Sequence, residues 1–194
     1  MHLILVRHAE SVANAARINE GWGQSQLTAR GREQAQLLAE RLAQERIDII
    51  YASDLRRVQE TLAPLRRLRP DIPVINAPEL REQGMGIYEG TPYGTMLAAA
   101  ERAGAPYFLL QVQGGETIPE MHSRVRTFVT NVLRQRSEGT VCFYLHGGPL
   151  AGIALDLLGL PEEDYQEWYP ENAHYDIFSL EDGKARCLRR NAAP

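Results

Sequence analysis

The residues Leu3-Ile4-Leu5-Val6 run straight into Arg7-His8, and the arrangement returns far down the chain, where Val141-Cys142-Phe143-Tyr144-Leu145 runs into His146-Gly147-Gly148-Pro149. A short unbroken apolar run followed by a helix-compatible segment is the mark of a strand buried on both faces, as in a parallel sheet. That confines the chain to folds in which strands alternate with covering helices. In open sheets of this kind, ligands bind at the carboxyl ends of the strands. Two such ends here deliver a histidine.

The pattern between them agrees. The spacing predicts a short helix over 10–18, a loop over 19–27, and a helix over 29–44 capped by Thr28, with Ala35, Leu38 and Leu42 inward. A second strand is expected over 47–51. Ser53 or Asp54 should then open a helix whose Leu55, Val58, Leu62, Leu65 and Leu68 form an inner stripe. A third strand covers 73–75. Over 83–115, glycines mixed with Met85, Tyr88, Tyr93, Tyr107 and Phe108 read as an inserted lid, helical over 92–102 behind Thr91. Thr117-Ile118-Pro119-Glu120 fits a capping box ahead of a helix with Ile118, Met121, Val125, Phe128, Val129, Val132 and Leu133 on one face. A helix over 149–158 and a hairpin of strands over 175–180 and 185–188, joined through Asp182-Gly183, complete a single α/β domain spanning 1–194. The sheet should be mostly parallel and covered on both faces.

Composition narrows the partners. A net charge of -4 excludes a general nucleic-acid binder, which needs a basic surface to displace counterions. The longest apolar runs fall short of a membrane span, and Met1-His2-Leu3 leaves no room for an export signal before the first strand, so a cytoplasmic protein is expected. Cys142 and Cys187 lack metal-ligand spacing and read as reduced thiols, and no metal or other cofactor is expected. The sequence admits a homodimer without requiring one.

Four strand ends supply polar groups: Arg7 with His8, Ser53 to Arg57, Arg81 with Glu82, and His146. Side by side, they would form an anion pocket with a nucleophile and an acid. Two like charges about 4 Å apart repel by roughly 4 kcal/mol at an effective dielectric near 20, so such a cluster calls for an anion. A phosphate monoester carries roughly -1.5 to -2 charges and matches the planar fork of arginine, which suits Arg7 and Arg57. Either histidine can attack phosphorus when neutral, and neighbouring guanidinium groups favour that form. His8 is the expected nucleophile. His146, helped by the Gly147 amide, suits donation to the phosphoryl oxygens, and Glu82 is preferred over Glu10 as proton donor to the leaving oxygen. His2 and His122 read as surface or structural residues; Trp22 either covers the pocket or packs on the core.

Leu5-Val6-Arg7-His8-Ala9-Glu10-Ser11 with Asn14, Leu27-Thr28 with Gly31, Ser53-Asp54-Leu55-Arg56-Arg57 with Gln59 and Thr61, Leu80-Arg81-Glu82 with Tyr88-Glu89-Gly90, Gly115-Glu116-Thr117 and His146-Gly147-Gly148 together resemble the histidine phosphatase superfamily, the phosphoglycerate-mutase-like proteins. The resemblance implies a three-layer α/β/α sandwich and a phosphohistidine mechanism. Carried over, it makes His8 the nucleophile, Arg7, Asn14, Arg57 and His146 the phosphate pocket, and Glu82 the proton donor. Ala9 stands where the family often has Gly. Gln24 and Gln26 stand where many members have Asp and Pro, which bears on specificity more than on reaction type.

The expected activity is metal-independent hydrolysis of small phosphate monoesters, with a small-molecule substrate and neither nucleic acid nor membrane as partner. A cofactor-dependent phosphoglycerate mutase is the first alternative, but from Gln83 to Met121 the only arginine or lysine is Arg102. A non-catalytic phospho-ligand-binding pseudoenzyme is the second.

Overall fold

A computed structural model of the chain describes residues 1–194, the side chain of Glu163 excepted. Six strands form one sheet: β1 (His2–Arg7), β2 (Ile49–Ala52), β3 (Val74–Asn76), β4 (Thr140–Leu145), β5 (Tyr175–Glu181) and β6 (Lys184–Ala192), in the order β3-β2-β4-β1-β5-β6. The pairs β2/β3, β2/β4 and β1/β4 are parallel, and β5 and β6 add an antiparallel edge beyond β1.

Period-two alternation in β1 feeds two cores. Ile4 and Val6 pack with Leu38 and Leu42 of α2 (Ala29–Leu42) and Leu62 and Leu65 of α3 (Arg56–Leu68). Leu3 and Leu5 pack on the other face with Met121, Val125 and Val129 of α5 (Ile118–Arg134) and Leu150 and Ile153 of α6 (Gly147–Leu158). The result is the α/β/α sandwich. The remaining helices are α1 (Val12–Ala15) and α4 (Thr95–Ala103); α4 closes a small separate cluster with Met96, Ala100, Leu110 and Val112.

Local signals placed several ends well. Thr117 accepts the Glu120 amide while Glu120 accepts the Thr117 amide, the reciprocal box that starts α5. Asp182 and Gly183, both at positive φ, close the β5–β6 turn.

Four expectations are corrected. The first helix is only α1, begun by a Ser11–Asn14 box rather than at Glu10. Neither Ser53 nor Asp54 caps α3; Leu55 is the N-cap residue, without a side-chain cap bond, because the Asp54 carboxylate is held by Arg81 and the Ser53 hydroxyl partners His146. Leu68, in the last turn of α3, has run out past the packed face and is 46% exposed. The lid helix starts at Thr95, behind Gly94 at φ +87°, not behind Thr91, whose hydroxyl donates to the Tyr88 carbonyl instead.

Candidate active site

Strand pairing alone brings the two histidines together. Arg7 of β1 lies opposite Leu145 of β4, and the ladder continues one step as the His8 amide donates to the Leu145 carbonyl at 3.0 Å. The next residues are His8 and His146, whose ring centroids stand 5.1 Å apart.

The partners of His8 define its tautomer. Nδ1 is 2.8 Å from the Ala9 carbonyl, which can only accept, and Nε2 is 3.2 Å from Arg57 Nε, which can only donate. The ring is therefore neutral, with its proton on Nδ1 and a lone pair on Nε2. Burial, then the charges of Arg57 and Arg7, push its pKa well below the ordinary histidine value. Burial, Arg57 and His8 do the same to His146. Its Nε2 lies 2.9 Å from Ser53 Oγ, while its Nδ1 is buried without a partner among the described residues. Arg7 Nε is orphaned in the same way. Buried polar atoms are rarely left so, since each costs about 1–3 kcal/mol.

Arg57, 2% exposed, also donates to the carbonyls of Gly23 (3.0 Å) and Gly21 (2.9 Å) and pairs with Glu20 at 3.0 Å. It thus orients His8 and pins the 20–23 loop together. Arg7 lies over the Tyr169 ring at 5.0 Å. The Glu82 carboxylate accepts from the Gln83 amide (3.0 Å) and from the Gly148 amide at the start of α6 (3.2 Å). Its backbone carbonyl takes two donors, Trp22 Nε1 at 2.8 Å and Arg124 Nη2 at 3.2 Å. The paired glycines have a steric reason. A Cβ at Gly148 would fall 2.3 Å from Glu82 Oε1, and one at Gly147 would fall 2.3 Å from Tyr169 Cζ.

The family model of the histidine phosphatase superfamily (branch 1) matches residues 3–193 of this chain, a span that includes both histidines, both arginines and the opposed carboxylate. The chain belongs to this superfamily. Phosphoserine phosphatase 1 of Hydrogenobacter thermophilus is 28% identical over 193 residues, 97% of this chain and 91% of that one. A probable phosphoglycerate mutase of Yersinia enterocolitica is 33% identical over 166 residues, 83% and 76% of the two chains. Among solved structures, a mycobacterial glucosyl-3-phosphoglycerate phosphatase superposes with a TM-score of 0.86 at 26% identity, covering 99% of each chain.

In this member of the superfamily a cavity of about 480 Å³ opens at the strand ends. Arg7, His8, Asn14, Arg57 and Glu82 line it, together with Glu20 and Tyr93, Tyr107, Tyr165 and Tyr169. His146 lies behind, with no exposed surface, and Gly147 is covered by Tyr169. Asn14 reaches the wall through Asn172, whose amide donates to Asn14 Oδ1 and to the His8 carbonyl at 3.1 Å each. Glu10 is drawn off by the Thr28 hydroxyl (2.7 Å), and Arg81 by a two-toothed pair with Asp54. Trp22 packs behind Glu82 rather than covering the pocket. Among the described residues, no group of three or more His, Cys, Asp or Glu side chains could hold a metal ion, and no helix is long and apolar enough to cross a membrane.

Sequence reasoning missed Glu20, Arg124 and the Tyr165–Tyr169 pair. Arg124 binds Glu116 as well as the Glu82 carbonyl, and only the Gly115-Glu116-Thr117 motif hinted at that anchor. Of the two readings left for His122, surface or structural, the second holds: it is buried against Phe108 and Tyr165. Burial, then Arg126, lowers its pKa to about 4.

Three histidines held neutral below their unfolded pKa make stability depend on pH. The unfolded chain binds protons first, so their contribution is complete above about pH 6.5 and is lost as pH falls through the folded values. The melting temperature should drop between about pH 6.5 and 4, and His122→Leu should flatten that limb, since His122 alone accounts for up to about 3 kcal/mol. A flat wild-type profile across this window would contradict the neutral buried rings.

Proposed function

We propose that the protein is a phosphatase hydrolysing phosphate monoesters of small metabolites through a phosphohistidine on His8. The observation that carries this reading is the His8 ring, its lone pair held on Nε2 by opposed partners on either side. Beside it stand two buried groups without partners among the described residues, Arg7 Nε and His146 Nδ1, which phosphoryl oxygens would satisfy. Arg7, Arg57, Asn14, His146 and the Gly147 amide make up the phosphate pocket, and the glycine amide begins α6, where the helix end favours an anion. Entry of the anion requires Tyr169 to shift from Gly147.

In the first step the Nε2 lone pair forms a bond to phosphorus as the ester P–O bond breaks, and Glu82 gives its proton to the leaving oxygen. In the second, water attacks the phosphorus, returns a proton to Glu82, and the P–N bond breaks to release phosphate. The arginines and His146 carry the charge of the loose transition state, a task given elsewhere to metal ions.

The mutase reading asks for cations to hold a second anionic group. Arg102, the lid's basic residue, is exposed on α4 and does not line the cavity. That favours water over a second phosphate ester as acceptor. The pseudoenzyme reading is set against the presence of nucleophile, acid and phosphate donors in one cavity. The test is turnover of p-nitrophenyl phosphate with chelator present, followed by rapid quenching with labelled substrate. An acid-labile, base-stable phosphoryl adduct on His8 is expected. Label on a serine, aspartate or cysteine would overturn the mechanism, and binding without turnover would favour the pseudoenzyme.

A further inference from the structure

Glu20 sits in the loop between α1 and α2, its side chain 8% exposed, and lines the same cavity as His8. Its Oε1 is 3.0 Å from Arg57 Nη1 and accepts from the amide (3.1 Å) and hydroxyl (2.5 Å) of Ser25, while Oε2 accepts from Ser11 Oγ at 2.8 Å. One guanidinium therefore separates this carboxylate from the imidazole, because Arg57 Nε donates to His8 Nε2.

The consequence is a charge balance. With both histidines neutral, the cations lining the cavity are Arg7 and Arg57, Glu20 already pairs with one of them, and among the described residues no lysine or further arginine lines it. A phosphoryl group can use the free Arg7 Nε. A second anion on the substrate would find no cation and would face Glu20 instead. A cationic leaving group would meet the carboxylate, in a cavity whose wall Tyr93 and Tyr107 share with Glu20.

We propose that Glu20 determines specificity, selecting phosphate monoesters whose leaving group bears an ammonium group and rejecting those that bear a carboxylate or a second phosphate. This rests on the phosphatase reading and goes beyond it. Discrimination of this kind combines attraction for one charge with repulsion of the other.

The test uses three esters with two-carbon leaving groups: 2-aminoethyl phosphate, 2-hydroxyethyl phosphate and phosphoglycolate. For the wild type, kcat/KM should fall in that order, by about tenfold per step for charges a few ångströms apart in a partly screened site. Glu20→Gln should bring the two ends of the series to within about threefold, whereas Glu20→Asp, which keeps the charge, should keep the ranking even if every rate falls. Equal or faster turnover of phosphoglycolate by the wild type, or a common loss on all three esters in Glu20→Gln, overturns the proposal. Should Glu20→Gln fail to fold, loss of the ranking in Glu20→Asp overturns it. Failure on p-nitrophenyl phosphate as well would instead sink the phosphatase reading itself.

Discussion

A His8→Ala variant should fold and release no phosphate, with kcat/KM on p-nitrophenyl phosphate lower by roughly 10⁴-fold or more. The loss should be this large because nothing else in the cavity can take over the attack. His146 stands behind His8 with no exposed surface, and its Nε2 is engaged by Ser53. Neither cysteine is available: the Cys142 thiol is buried in β4, where burial holds it protonated, and Cys187 lies on β6 at the far edge of the sheet. Serines near the site are already hydrogen-bonded within the loops, Ser11 to Glu20 and Ser53 to His146. Steady-state turnover alongside a thermal melt checks the expectation; near-normal activity in a folded variant would remove His8 as the nucleophile.

The second large effect concerns the proton. Glu82→Gln should lower kcat/KM on an alkyl phosphate by about 10²–10⁴-fold, the usual reach of a positioned general acid. On p-nitrophenyl phosphate, whose leaving oxygen needs no proton, the same variant should lose far less. Gly148→Ala offers an independent route to the same signature. The new methyl would sit 2.3 Å from Glu82 Oε1 and 3.1 Å from both Met121 Cε and the Tyr165 hydroxyl, so the carboxylate is the group that must move. Its substitution should penalise alkyl over aryl esters while leaving Glu82 chemically intact. Equal losses on both ester classes in both variants would assign Glu82 a structural role and leave the proton donor unidentified.

The legible parts of this protein share one property, which is that a local pattern encodes them. β1 and β4 show as unbroken apolar runs because both of their faces are covered, and α5 shows as a seven-residue apolar face behind a reciprocal cap. His8, Arg7 and Glu82 could be nominated because polar groups directly after a buried strand, or its connecting loop, gather at one sheet edge. The errors arose where a residue's local option lost to a distant partner. Asp54 would cap α3, but a guanidinium 27 residues away takes its carboxylate. Trp22, which the sequence left open between covering the cavity and packing, was likewise decided at long range, by the Glu82 carbonyl 60 residues away that takes its indole N–H.

The chain's own letters decided the alternation of strands and helices, the Thr28 and Thr117 helix caps, the β-hairpin turn, and which chemical groups stand at the strand ends. All of these follow from periodicity and from bonds spanning a few residues. The tertiary structure alone decided that Arg57 faces the Nε2 of His8, that His146 lies behind it, and that Glu20 adds a negative charge one guanidinium away. Those relations depend on strand register and on how the 20–23 loop closes over α3, and a contact between positions dozens of residues apart leaves no spacing in the sequence by which to find it.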